Sequence, residues 1–414
     1  MNINKDDGKG GFFMISIGID ASKGKSTVCI LKPYGEVVKK PFIVEHTKES
    51  LNELILYIQK LEGEKRIFIE ATGIYHLPIN KYLLEMNFSV TTVNPLTMYK
   101  YASLNIRPGK TDRLDAVTIA NYGIDNWFKP NVDSDNTIVN YNQLRFLSRQ
   151  YNQYINMRVK CRLSLLNITE RTMPNIDRLL ENDSQNIKRD KFNSFVARFI
   201  HYDNISCLTE KQFISDYKKW AKKEGYQQSE RKAKQIYAIA IDSIPTLSSK
   251  DPSVKMLTLE AIRTYREIST STDMIISQMI ETSKKLKEFY ILTSMKGIGD
   301  NLAARFIAEV GDTHRFHNAS ALIAYAGIDA PAYQSGQFNS INRRISKRGS
   351  KSLRKVGYEI IASFSRQKPT DNKIYDYVKK KEIDGKPKKV AKIAGLNKFF
   401  HIYYAKVRDA YITD

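Results

Sequence analysis

Near Trp127 the spacing of apolar residues changes from the short mixed runs of an α/β layer to a period of seven, and in a chain of 414 residues, longer than one core usually serves, that change marks a domain boundary. Upstream, apolar runs at Ile15 to Ile19 and Thr27 to Leu31 precede a stretch in which Leu51, Leu54, Ile55, Ile58 and Leu61 recur at three and four, the spacing of one helix face. Short strands are predicted over Arg66 to Ile69 and Phe88 to Val93, with a helix over Leu77 to Glu85 between them. Strands interleaved with helices predict an α/β architecture around a mixed sheet. Downstream of a polar link, Asn131 to Asn142, residues Leu144, Leu147, Tyr151, Tyr154, Cys161, Leu165 and Ile168 follow alternating steps of three and four, interrupted by Arg158. Ile262, Tyr265, Ile276, Met279 and Leu286 repeat the register. Two long helices are therefore expected to pair, within one chain or between chains. From Leu292 an α-rich region is expected, with helices up to Val310, over Asn318 to Tyr325 and over Ser350 to Phe364, then a Lys-rich polar segment (Lys379 to Lys389) and a last helix. The stretch 175–250 has no assigned role.

Charge narrows the function. The chain carries 66 Lys and Arg against 44 Asp and Glu, a net charge of +22, so polyanions are the expected partners. Lysines and arginines bind a phosphate backbone by releasing its condensed counterions. No window is apolar enough to cross a membrane, and no signal peptide or basic lipid-facing helix is evident. Cys29, Cys161 and Cys207 lack the spacing of a disulfide framework or a zinc site. His314 and His317 have no further ligand nearby and read as a pair at a helix end.

Four acids stand out against this basic background. Asp20 closes the first apolar strand (Ile17-Gly18-Ile19-Asp20), and Glu70 closes another (Ile67-Phe68-Ile69-Glu70). Carboxylates after buried runs are costly unless they meet a cation or donors. Asp112 and Asp115 follow Pro108-Gly109, where a helix is expected to begin, and three residues of helix turn the chain through roughly 300°, leaving both acids on one face. Taken singly, Asp112 reads as an N-terminal helix charge and Asp115 as an exposed helical acid, whereas the strand-end acids are harder to dismiss. As a set they have the hard oxygen chemistry of a Mg²⁺ site, in which two ions can stabilise both oxygens of a phosphodiester displacement.

Other candidates concern nucleic-acid binding. Gly297-Ile298-Gly299, between two helices, fits a helix-hairpin-helix turn in which Gly297 and Gly299 let backbone amides approach phosphate; a helix-capping glycine fits as well. Arg343, Arg344, Lys347, Arg348, Lys351, Arg354 and Lys355 accumulate without an intervening acid, and Lys110 and Arg113 flank the helical acids. Ser335, in Tyr333-Gln334-Ser335-Gly336, is by composition only a serine in a turn, with no histidine beside it to act as base.

At Gly18-Ile19-Asp20-Ala21-Ser22-Lys23, Glu70-Ala71-Thr72-Gly73, Lys110-Thr111-Asp112-Arg113-Leu114-Asp115, Gly297-Ile298-Gly299 and the Ser335 segment, the chain resembles transposases of the insertion-sequence family numbered one hundred and ten. The resemblance implies a RuvC-like, ribonuclease-H-like domain whose acids Asp20, Glu70, Asp112 and Asp115 bind divalent metal. It also implies a C-terminal domain with Ser335 as nucleophile, a covalent phosphoserine intermediate, and a bridge RNA, a structured non-coding RNA, as guide. A coiled coil would build a homodimer or tetramer, in which acidic and serine domains form composite sites across protomers. The expected organisation is a leader (1–13), a RuvC-like domain (14–130), a helical and coiled-coil region (131–290) and a serine transposase domain (291–414), in a cytoplasmic, nucleoid-associated prokaryotic protein. Two other readings remain open. One is a resolvase-like nuclease using the acids with water and leaving Ser335 structural; the other is a non-catalytic nucleic-acid-binding protein.

Overall fold

The computed structural model describes residues 14–71, 73–103, 111–128, 138–180, 190–330, 334–335, 338–339 and 344–412, and the chain divides into two compact units, Met1–Asp135 and Asn136–Asp414.

In the first unit, β1 (Met14–Ser22), β2 (Lys25–Leu31), β3 (Val37–Glu45), β4 (Glu64–Glu70) and β5 (Val90–Val93) form one sheet in the order β3-β2-β1-β4-β5. The first three are antiparallel neighbours, while β4 and β5 add parallel to β1. This mixed α/β sheet fits the ribonuclease-H-like expectation. Around it lie α1 (Lys48–Gln59), α2 (Leu77–Glu85), α3 (Pro95–Ala102) and α4 (Asp112–Asp125). β3 went unread in the sequence because Lys39, Lys40 and Pro41 interrupt it, residues that an edge strand tolerates and a central strand does not.

Alternation along the strands separates two faces. Ile17, Ile19, Ile67 and Ile69 pack with Leu51, Leu54 and Ile58 of α1 and Leu83 of α2. On the other face Cys29 and Leu31 meet Ala116 and Ala120 of α4, and Phe68 meets Ile119. α4 lies nearly in contact with the β1 backbone. A Cβ on Gly18 would stand 2.3 Å from the Ala120 nitrogen and 2.4 Å from the Ala116 oxygen, and Ser16 Oγ donates to the Ala120 carbonyl at 2.7 Å. Beyond the end of α4, Arg66 donates to the Trp127 carbonyl and lies 5.0 Å from that indole ring.

The second unit is helical: α5 (Ile138–Thr172), α6 (Ile176–Leu180), α7 (Lys191–Phe199), α8 (Asp203–Ser206), α9 (Glu210–Lys223), α10 (Glu230–Asp242), α11 (Pro252–Ser283), α12 (Lys287–Thr293), α13 (Asp300–Val310), α14 (Ala319–Ala326), a hairpin of β6 (Gln334–Ser335) and β7 (Phe338–Asn339), α15 (Lys351–Gln367), α16 (Lys373–Ile383) and α17 (Lys388–Ile412). The Lys-rich segment read as polar is therefore largely helical. α5 and α11 pack antiparallel: Tyr141 and Leu144 share a core with Ile276 and Met279, whereas Leu165 shares one with Ile262. The period of seven is present, yet its buried seam on α5 is offset from the apolar residues that announced it. Ser148, Thr169 and Thr172 are buried, while Leu147, Tyr154, Cys161 and Ile168 are half-buried beside them. Small hydroxyl side chains fit a close helix approach, and each satisfies itself within the fold. Ser148 donates to Glu309 at 2.9 Å, and Thr169 and Thr172 donate to carbonyls one turn back.

Each end of this pair carries its own core. Stretch 175–250 supplies α6 to α10, closed around Phe195, Phe199, Phe213, Tyr217 and Trp220, with centroids from 4.6 Å (Phe195 to Phe199) to 6.4 Å (Phe195 to Tyr217). At the other end α12 to α17 surround Phe306, Phe399, Phe400 and Tyr403. There the fully buried carboxylate of Glu288 accepts from Tyr141 at 2.6 Å and Tyr411 at 3.1 Å. Among the described residues no helix is long and apolar enough to cross a membrane.

Two outcomes follow from this packing. Gly18→Ala forces a methyl into the α4 backbone and is expected to destabilise by about 1–3 kcal/mol, seen as a lower urea midpoint; Gly299→Ala, whose Cβ meets nothing within 4 Å but which replaces the N-cap of the helix that follows, is expected to cost no more than about 1 kcal/mol. Burial first, and then the charge of Glu288, push the Tyr411 hydroxyl up to about 12. Its folded value lies above its unfolded one near ~10, so the stability it contributes is complete below pH ~10 and is lost as pH rises toward ~12. Melts across that range are expected to show a shallower decline for Tyr411→Phe.

Candidate nucleic-acid processing site

The strand-end acids reach one corner of the first unit through register. Ile19 pairs with Ile69 across the parallel β1–β4 ladder, so the next residues, Asp20 and Glu70, leave neighbouring strands side by side. Alternation puts Asp20 with Ser16 and Gly18, and Glu70 with Phe68, on the face that α4 covers. α4 runs against β1: Gly123 lies over Ser16 and Phe68, while Ala116 and Ala120 lie over Gly18. Two further strand residues advance about 6.6 Å, the rise of about four helical residues, which brings Asp20 level with the first turn of α4. Thr111 caps that turn by accepting from the Leu114 amide at 3.2 Å, and the turn contains both Asp112 and Asp115.

Sheet register and helix direction thus gather all four acids at the same end of the same face. They do so unequally. Asp112 and Arg113 are exposed, while Asp20, Glu70 and Asp115 are half-buried. Among the described residues no three His, Cys, Asp or Glu side chains close to a distance that holds a metal ion. Asp112, at the rim, is the most exposed of the four. Lys110 and Thr72 lie outside the described residues. His314 does not reach toward a shared ligand with His317; its ring nitrogen meets Asp312 at 2.9 Å and its ring packs edge-on against Tyr411.

In the second unit, Ser335 lies in a two-stranded hairpin, paired with Phe338. The chain on either side is clamped. The Lys347 amide donates to the Gly327 carbonyl at 3.0 Å, Ser350 to Tyr325 at 2.8 Å, and Ser346 Oγ to Asp329 at 2.5 Å. Gly327 and Lys347 both take positive φ, and a Cβ on Gly349 would meet the Tyr325 oxygen at 2.3 Å. The basic run consequently divides. Arg344, Lys347, Arg348, Lys351 and Lys355 are exposed, whereas Arg354 donates to the carbonyls of Ala326 at 2.9 Å and Gly349 at 3.3 Å, holding the clamp. Arg343 lies outside the described residues.

Gly297-Ile298-Gly299 does join two helices, α12 and α13, with Ile298 buried. Gly297 has φ of +103°, and its missing Cβ leaves room for the Phe364 ring at 2.7 Å; its carbonyl accepts from Ser363 at 2.9 Å. Packing alone therefore requires glycine here. Gly299 caps α13 and is unobstructed.

Comparison with known proteins joins the two halves. Residues 17–174 match a family model for transposases of the DEDD IS110 type, and residues 290–376 match one described as transposase of the IS116/IS110/IS902 family. The chain belongs to the IS110 transposase family. As such it is a DNA-rearranging enzyme. It is also 25% identical over 402 residues to pilin gene-inverting proteins of Moraxella bovis and Moraxella lacunata, covering 95% of either chain in each case. In this transposase, helices α6 to α11 fall between the two matched stretches and α17 lies beyond them. Interactions that join distant residues there, such as lysines stacked on tyrosines of other helices, left no local signal in the sequence.

The clamp makes a prediction about the basic run. Arg354→Met leaves two carbonyls without their donor and is expected to lower stability by about 1–3 kcal/mol, with faster tryptic cleavage after Arg348. Lys355→Ala is expected to change stability by less than about 0.5 kcal/mol.

Proposed function

We propose that this transposase cuts and exchanges DNA strands with Ser335 as nucleophile and with divalent metal, Mg²⁺ by preference, held by Asp20, Glu70, Asp112 and Asp115. The observation that carries the reading is the meeting of two strand-end carboxylates and an acidic first helical turn on one face of a sheet, in a chain of net charge +22. The donor set suits the ion: carboxylate oxygens are hard ligands, and the half-buried setting strengthens their attraction for a cation. When bound, the metal supplies charge that polarises a scissile phosphate. The chain's own residues do the rest. Ser335 Oγ attacks phosphorus and gives up its proton as the P–O bond to the leaving strand breaks and the leaving oxygen takes a proton. The phosphodiester energy is kept in the Ser335–phosphate ester, so a hydroxyl of another strand can displace the serine without an external energy source.

Exposed Arg344, Lys347, Arg348, Lys351 and Lys355 beside the clamped serine segment would hold strand backbone, with Arg343, Lys110 and Arg113 and the Gly297–Gly299 turn as further contacts. The chain's excess positive charge suits a guide RNA as well as DNA, and we propose a bridge RNA and a homo-oligomer, dimer or tetramer, as its working partners. Likeness to proteins named for pilin gene inversion supports inversion of a DNA segment as one outcome of the same chemistry.

Incubation with end-labelled element-junction DNA, co-purified RNA and Mg²⁺ is expected to yield a protease-sensitive covalent adduct on a denaturing gel. Ser335→Ala is expected to abolish it. Asp20→Asn is expected to slow adduct formation by about a hundredfold or more, the scale of misplacing a reacting phosphate. Free nicked DNA from both wild type and Ser335→Ala would instead assign the acids to hydrolysis.

A further inference from the structure

The Lys-rich end of the chain has no part in the chemistry above and continues past residue 376, where the second family match stops. No Asp or Glu occurs between Asp384 and Asp409. Ion pairs sort its lysines. On α16, Lys379 pairs with Glu382 at 2.8 Å and Lys381 with Asp384 at 3.4 Å. On α17, Lys388 and Lys389 are exposed, and Lys392 and Lys398 lie over rings of neighbouring helices: Lys392 is 5.6 Å from the centre of Tyr358 on α15, and Lys398 is 4.6 Å from that of Tyr377 on α16. None of these four lysines has an ion pair among the described residues.

Stacking of this kind holds an ammonium group at the surface while leaving its donors for an acceptor. Helix stability gives no reason for the arrangement, because lysines in a first turn that contains no acid oppose the helix dipole. The face is also continuous with α15. Gly357 leaves space for Leu396 at 2.7 Å, seating α15 against α17, and Lys351, Lys355 and Tyr358 recur at four and three along α15.

We propose that α15 and α17 form a second nucleic-acid surface, which takes the phosphodiester backbone of a duplex without reading its sequence. Ammonium groups are point charges suited to single phosphates, whereas sequence reading relies on side chains that hydrogen-bond base edges. Lys388, Lys389 and Lys392 lie within about one turn at the start of α17, on the side that meets α15 through Tyr358, and their long side chains reach about two to three phosphates of one duplex strand. The inference rests on the proposed role of Lys351 and Lys355 only where the two stripes adjoin; it is independent of Ser335 and the four acids.

The test measures binding of the full-length protein to DNA and RNA duplexes of unrelated sequence across a salt series. For Lys388→Gln/Lys389→Gln/Lys392→Gln the expected result is about tenfold or greater loss at physiological salt, with the slope of log affinity against log salt shallower by about 2–3, near 0.9 per phosphate. The same three positions changed to Arg are expected to retain both. Loss on both duplexes assigns the shared phosphate backbone, and loss on one names the source. Lys388→Glu/Lys389→Glu guards against misfolding, since acids there favour the helix; it is expected to melt no lower than wild type and yet bind more weakly. Binding is read without divalent metal, so the outcome is separate from the proposed strand chemistry. Unchanged affinity and slope on both duplexes in the Gln and Glu variants would overturn the proposal.

Discussion

α4 rests on β1 with no side chain between them at Gly18, and the geometry of the acidic corner depends on that approach. A helix held off by a larger residue would sit farther from the sheet, and its first turn would move away from Asp20 and Glu70. Gly18, Ala116 and Ala120 therefore shape the acidic corner as much as the acids do, although none has a reactive group. Ser16 adds direction, because its hydroxyl bond to the Ala120 carbonyl resists sliding of the helix along the strand.

The second unit meets a different constraint. A helix pair about 50 Å long cannot be stabilised along its whole length by a seam that buries Ser148, Thr169, Ser269 and Thr272. Its ends supply what the middle lacks: an aromatic core in α6 to α10 at one end and the larger core of α12 to α17 at the other. Buried acids join these parts. Glu288 ties α5 to α17 through two tyrosines, and Glu309 accepts from Ser148 and lies 3.5 Å from Arg149. Clamping the ends of the serine segment against α14 is a local version of the same device: positive-φ backbone at Gly327 and Lys347 and the close approach of Gly349 to Tyr325 fix the stems, and exposed bases line the return.

Much of this was legible beforehand where one element carried the signal. Leu51, Leu54, Ile55 and Ile58 announced α1, and the acids at the ends of apolar strands announced themselves as unusual. β3 was not legible, since an edge strand half open to solvent loses the alternation that marks a buried one. Nor was the α5 seam, because apolar period and buried period share Leu144, Tyr151 and Leu165 but diverge between them, where hydroxyl groups bonded within the fold take the inner positions. Arg354 looked like its neighbours in a basic run; only its carbonyl partners set it apart.

By itself, then, the sequence determined which residues carry charge, several of the strands and helices, α1 and β4 among them, and membership of one DNA-rearranging family. Tertiary structure alone decided which of those residues meet. Asp20 lies beside Glu70 because β1 and β4 pair in parallel at one register, and both lie near Asp112 and Asp115 because α4 runs against β1. Lys392 and Lys398 find Tyr358 and Tyr377 because three helices pack. Spacing along a chain sets the periods of single elements, whereas proximity between elements depends on which faces exclude water together.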